Sequence, residues 1–327
     1  MERPDFFDRL QGVTEACLTW RKRRKRIKKE KLRAKNPVLD WLEAFLWAAG
    51  VVLLINQYLF QAYQIPSGSM IDTLLIGDRV FVNKIVYGPE VLPGIGKLPS
   101  PVKPRRNDVI IFENPSYISR GTAFDVAQRI IYMLTLSFVD IDKDETGDPR
   151  PHFLIKRAAG VGGDTFRIDR GDMLARFAGE ERWVPEAAYD QARGWTHRLS
   201  RLMSAEGYPA LGAAGRAQAY SELALRPPEA LLDAASGLDT QRYPDFLYHE
   251  EKRLALLHAA APHDPRSRSL LARLRQGWYV PESRILPLGD NRDNSRDGRY
   301  FGPVKLNKVL GKGAFKYWPL RRIGVIR

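Results

Sequence analysis

GDNRDNSRDGRYFG, residues 289–302, decides how this chain is read. Acids and amides are interleaved with three arginines, Arg292, Arg296 and Arg299, and no hydrophobic period runs through the stretch. A core-facing helix would place apolar residues every three or four positions, and a half-buried strand would alternate them. The stretch does neither. It reads as a polar network that must be fully satisfied if it is buried. Asp290, Arg292, Asp293, Asp297 and Arg299 supply the ion pairs, and Ser295 stands among them as a hydroxyl able to orient a neighbouring amine. A calcium loop is the competing reading, but the arginines would repel a cation, so no metal and no cofactor are expected.

Working outward, the flanks look like strands: residues 285–288 before the loop and 313–318 after it. Upstream, IGDRVFVNK (76–84) alternates, and the runs at 108–112, 153–155 and 165–168 are short and punctuated by Gly and Pro. That texture predicts a mainly β, antiparallel domain rather than βαβ units. Between 171 and about 276 Ala, Leu, Arg and Glu dominate. Apolar residues there recur at helical spacing: Leu199, Leu202 and Met203; Leu247, Leu254 and Leu257; Leu270, Leu271 and Leu274. A helical insertion is expected over 171–277, splitting the β-domain into 64–170 and 278–327. His249-Glu250 lacks the second histidine of a zinc helix.

The chain has 327 residues, enough to bury a sizeable core, and a net charge of +14. Residues 21–35 hold eleven Lys/Arg against the single Glu30, so most of the excess is a local tag. This argues against a nucleic-acid-binding surface. Next comes WLEAFLWAAGVVLLINQYLF, residues 41–60, about 30 Å long as a helix and matched to a bilayer core. The expected division is a basic segment, 1–37, and a transmembrane anchor, 38–63. The basic run puts the N-terminus in the cytoplasm and everything after about Tyr63 outside, with membrane lipid as a partner. No small-x-small site follows, so a cleaved signal peptide is not expected. The apolar run at 130–139 is too short to span. Cys17, the only cysteine, leaves no intramolecular disulfide.

Two more motifs carry chemistry. In Pro66-Ser67-Gly68-Ser69-Met70, just past the anchor, Gly68 allows a tight backbone with hydroxyls two residues apart. One can attack while the other donates to an oxyanion. Lys156, followed by Arg157, ends the apolar run Phe153-Leu154-Ile155. Apolar surroundings disfavour its charged form and lower its pKa toward a working base.

In order, spacing and topology these motifs resemble the bacterial type I signal peptidases, membrane-anchored serine endopeptidases that remove signal peptides from exported proteins. The resemblance covers the anchor, 64–84, 106–112, 155–168 and 288–317. It implies that Ser69 is the nucleophile and Lys156 the general base. It further implies that Ser67 completes the oxyanion hole with the Ser69 amide, and that Ser295 orients the lysine. Asp297 and Arg299 match the bracing ion pair, with Asp290, Arg292, Asp293 and Arg157 as structural support. Ile65, Pro66, Met70, Leu74 and Ile155, with Leu154 beside them, fall where the family lines shallow pockets for small side chains at P1 and P3. The implied partners are signal-peptide-bearing preproteins cleaved after Ala-x-Ala. Departures fall at Asp72, where proline is usual, in the turn at Gly163, which lacks the usual proline, and at Gly298, where serine is usual. The alternative from another class is an inactive membrane-tethered scaffold whose helical insertion binds a partner. Retention of Ser69, Lys156 and Ser295 together weighs against it.

Overall fold

The computed structural model describes residues 14–16, 18–26, 37–92, 95–100, 102–238 and 245–326. Cys17 and residues 27–35 of the basic run lie outside the described residues. The chain divides into two units, Met1–Val52 and Leu53–Arg327. Helix α1 (Pro37–Tyr58) begins in the first and ends in the second. It is the one described helix long and apolar enough to cross a membrane. Asn56 and Gln57, two polar residues in the apolar run, lie at its C-terminal end. Asn56 and Gln57 are buried, Gln57 Nε2 donates to the Glu90 carbonyl at 3.0 Å, and Tyr58 Oη donates to the Val91 carbonyl at 2.8 Å.

The strands follow in chain order: β1 (Phe60–Gln64), β2 (Arg79–Asn83), β3 (Glu90–Leu92), β4 (Ile95–Lys97), β5 (Val109–Glu113), β6 (Phe153–Gly160), β7 (Thr165–Asp169), β8 (Asp172–Arg176), β9 (Val184–Pro185), β10 (Trp278–Tyr279), β11 (Arg284–Leu288), β12 (Val304–Lys305), β13 (Val309–Trp318) and β14 (Gly324–Val325). The main sheet, an antiparallel half-barrel, runs β1-β2-β13-β5-β6-β11-β12, with β14 added to β13. A second sheet runs β10-β7-β8-β9, and β3 pairs with β4 alone.

Strand period sets the cores. Along β5, Val109 and Ile111 join Ile65, Met70, Leu74, Val80 and Val82, whereas Ile110 and Phe112 join Ala158, Ile285 and Val309 on the other side. A third cluster, with Phe166, Trp278 and Leu286, ties the second sheet to the first. Each fully buried Val, Leu or Ile in these clusters contributes about 1.5–3 kcal/mol.

The helices are α2 (Thr122–Leu134), α3 (Glu186–Ala192), α4 (Tyr208–Glu222), α5 (Glu229–Ala235), α6 (Phe246–Ala260), α7 (Pro265–Gln276) and α8 (Gly298–Phe301). The 171–277 stretch opens on β8 and β9 before it turns helical. Met173 and Ala175 point inward at strand period there, so burial overrides an Ala/Leu/Arg-rich composition. The helix expected around Leu199, Leu202 and Met203 is absent. The Leu202 and Met203 backbone amides donate instead to Asp293 Oδ2, at 2.7 and 3.0 Å. Helices α6 and α7 begin on Asp245 and Asp264, whose carboxylates cap the first free N–H groups. The apolar run at 130–139 forms the end of α2 and the turn after it.

Candidate active site

Three elements converge because of how β6 is paired. Its first half, carrying Lys156, lies against β5 in the register Ile110 to Lys156 and Val109 to Arg157. Its second half pairs with β11, Leu288 facing Arg157, so the chain leaves β11 at Gly289 beside the two basic residues. The turn Gly68–Met70 is then stitched to the outgoing loop: the Asn291 amide donates to the Ser69 carbonyl at 3.1 Å, and Asn291 Nδ2 to the Gly68 carbonyl at 3.1 Å. Gly289 is required by this close approach, since a Cβ there would collide with Ser295 Oγ and the Ser69 carbonyl.

Ser69 Oγ sits 2.5 Å from Lys156 Nζ, and both residues are buried. Burial pushes the lysine amine down to about 8, with Asp297 and Asp290 opposing and Arg299 adding to the shift. Among the described residues Lys156 makes no ion pair, because the nearby carboxylates are committed elsewhere. Asp290 takes a bidentate grip from Arg157 and a 2.5 Å bond from Thr73 Oγ1. Arg157 also donates to Asn107 Oδ1 at 2.8 Å. Asp297 receives Arg299 Nε at 2.9 Å and the Gly289 amide at 2.9 Å. Against the cost of burial, the Arg299 guanidinium holds the Asp297 carboxyl below its ordinary range.

Only some of the other site residues expected from sequence lie around this pair. Ser67 Oγ lies 3.4 Å from Ser69 Oγ on the exposed side of the turn. Ser295 is buried beside Asp297, and its Oγ makes no hydrogen bond to Lys156. Arg292 and Asp293 turn away from the dyad. Arg292 is held by Glu186 at 2.6 and 3.0 Å, and Asp293 by Arg201 at 2.9 Å, so both tie the loop to the 171–277 stretch. Ile65, Met70, Leu74 and Ile155 share one apolar cluster beside Ser69, while Pro66 is exposed next to it. Leu154 is not brought to them; it packs in the Phe112 cluster. Sequence reasoning missed Asn291 as the stitch between the loops, along with Thr73, Asn107, Glu186 and Arg201. Of these only Asn291 lay in a recognised motif.

A serine hydroxyl within hydrogen-bond reach of a lysine whose pKa is lowered by burial is an arrangement that can support nucleophilic catalysis. No cofactor is needed for that chemistry.

Comparison with known proteins agrees with this geometry. The family described as signal peptidase, peptidase S26, matches residues 38–202 and 236–318. The chain is 26% identical over 296 residues to signal peptidase I of Haemophilus influenzae, covering 90% of this chain and 73% of that protein. It is 27% identical over 300 residues to signal peptidase I of Pseudomonas fluorescens, covering 88% and 75%. For the Pseudomonas aeruginosa signal peptidase I the identity is 25% over 290 residues, covering 86% and 69%. With the matched segments taking in the anchor helix, the serine turn, the lysine strand and the polar loop, the chain belongs to the signal peptidase family, peptidase S26.

Proposed function

We propose that this membrane serine endopeptidase removes signal peptides through a Ser69–Lys156 dyad, acting at the outer face of the inner membrane with its N-terminus in the cytoplasm. The observation that carries the roles is the 2.5 Å approach of a buried lysine to a serine on the neighbouring turn. Neutral Lys156 takes the Ser69 hydroxyl proton as Oγ attacks the scissile carbonyl. The oxyanion is met by the Ser67 hydroxyl and the Ser69 amide. Protonated Lys156 then gives that proton to the leaving amine, and an ester on Ser69 remains. In the second half Lys156 deprotonates a water that attacks the ester, and Oγ leaves with the proton. Asp290, Arg292, Asp293, Asp297, Arg299 and Arg157 act as the frame, and Ser295, buried beside Asp297, belongs to it.

Support for the substrate reading comes from two unpaired strand edges. β1 ends the main sheet, and no described strand pairs with the second edge of residues 153–156, because the pairing of β11 along β6 reaches only as far as Arg157. Tyr63 and Phe153 bring these edges together, their rings 5.6 Å apart. An extended peptide fits such a slot by adding backbone hydrogen bonds. Ile65, Met70 and Ile155, which share one apolar cluster, then lie nearest its P1 and P3 side chains. The positive run at 21–35 supports the orientation. The test is cleavage, in detergent, of a preprotein bearing an Ala-x-Ala site. Ser69→Ala is expected to abolish it, and full activity of that variant would refute the assignment.

A further inference from the structure

Helix α2 comes from the connection between β5 and β6 and lies at one end of this slot. Tyr132 is the side chain that matters. It packs against the cluster containing Ile65, Met70 and Ile155, its ring 6.1 Å from that of Tyr63. Its phenol oxygen accepts the Gln64 backbone N–H at 3.3 Å. That N–H points away from β2. Leu59 and Ile65, which flank β1 and share one parity, make the bonds to the β2 side, and antiparallel strands alternate, so Gln64 faces the other way. Tyr132 therefore occupies a donor on the free edge that an extended peptide would otherwise use.

The helix is pinned, so the phenol is held in place. Arg129, one turn earlier, lies 4.9 Å over the Phe153 ring and 3.4 Å from Glu90. Gln128 Nε2 donates to Asp140 at 2.8 Å. Beyond the helix, Arg79 of β2 donates to Ser137 Oγ at 3.1 Å, and its guanidinium covers the Phe138 ring at 3.6 Å. The α2 segment thus bridges β6 and β2 across the mouth between β1 and β6.

From these placements we infer that Tyr132 closes the upstream end of the substrate slot and governs binding of the peptide backbone beyond the P3 residue. The inference rests on the reading of Ser69 and Lys156 as the reacting pair. Gln64 stands five residues before Ser69, so at about 3.3 Å per residue the phenol meets a bound strand about four to six residues upstream of the scissile bond. A longer peptide must displace the phenol to take the Gln64 N–H; a peptide ending at P3 never reaches it. Tyr132 is a specificity-determining residue that discriminates by length and backbone rather than by chemistry at the scissile bond.

The experiment compares two Ala-x-Ala peptides, one starting at P3 and one starting at P7, with the full chain in detergent. Tyr132→Phe keeps the ring and frees the Gln64 N–H. The ratio of kcat/KM for the long peptide over the short one is expected to rise about threefold to tenfold, the worth of one hydrogen bond, with the change in KM. An unchanged ratio overturns the inference. Equal loss of kcat on both peptides also overturns it, because that is the signature of lost packing. Failure of the wild-type chain to cleave either peptide would instead remove the underlying dyad reading.

Discussion

Arg157 grips Asp290 through two parallel hydrogen bonds, Nε to Oδ1 at 2.8 Å and Nη2 to Oδ2 at 2.7 Å, with both side chains buried. Asp290 still favours the charged form of Lys156, while its hydrogen bonds go to Arg157, the residue next to that lysine. The pair is also a weakness. Asp290→Asn leaves the Arg157 guanidinium buried without its counter-charge, and the loss expected is about 3–5 kcal/mol of stability. Urea denaturation monitored by tryptophan fluorescence checks this; a loss below about 1 kcal/mol would mean the pair does not brace the site.

The low pKa of Lys156 has a cost that depends on pH. In the unfolded chain this lysine keeps its proton up to its ordinary 10.5, and in the folded chain only up to about 8. The unfolded state binds more protons between those values, so stability rises with pH across that window and is lost as pH falls toward 8. Lys84, buried and also pushed down to about 8 by desolvation, contributes in the same direction. Lys156→Met should therefore be more stable than wild type at pH 7, by up to about 3 kcal/mol, with the gap closing between pH 8 and 10.5. Denaturation curves at several pH values measure it, and a gap independent of pH would contradict a depressed lysine.

Ser67 stands 3.4 Å from the Ser69 hydroxyl on the exposed side of the turn. As an oxyanion donor it should matter in the transition state and little in the ground state. Ser67→Ala is expected to lower kcat by about 10²–10³-fold with KM nearly constant. Steady-state kinetics on an Ala-x-Ala peptide separate the two; a rise in KM with kcat preserved would make Ser67 a binding residue instead.

Gly298, where the family pattern has serine, is fixed by its surroundings here. A Cβ at that position would lie 2.7 Å from Leu286 Cδ1 and 2.8 Å from the Pro287 carbonyl. Restoring the usual residue, Gly298→Ser, should thus destabilise the fold by about 1–3 kcal/mol. A thermal midpoint equal to or above that of the wild type would show that β11 can retreat.

How much of this was legible in sequence depends on where the information lay. β5 was readable because a short apolar run followed a turn signal, β6 only over its first three apolar residues, 153–155, although it runs on to Gly160, and the polar loop was readable because it had no hydrophobic period at all. Glu186 as the partner of Arg292, and Arg201 as the partner of Asp293, were hidden, since ion pairs about 90–106 positions apart leave no local pattern. Strand β8 was masked by helix-forming residues whose inward alternation, Met173 and Ala175, is only two positions long. α2 was seen only as an apolar run too short to span a membrane. Its role at the slot depends on a backbone N–H of Gln64, which no side-chain motif records.

The central claim is that Lys156, its pKa lowered to about 8 by burial, is the base for Ser69. The most direct measurement is the cleavage rate of an Ala-x-Ala preprotein by Lys156→Ala beside wild type, each confirmed folded, from pH 6 to 9. The account predicts a wild-type rate that climbs through about pH 8 as the amine loses its proton, and no detectable cleavage by Lys156→Ala at any pH. Cleavage by Lys156→Ala at the wild-type rate, or a wild-type rate flat across that range, would contradict it.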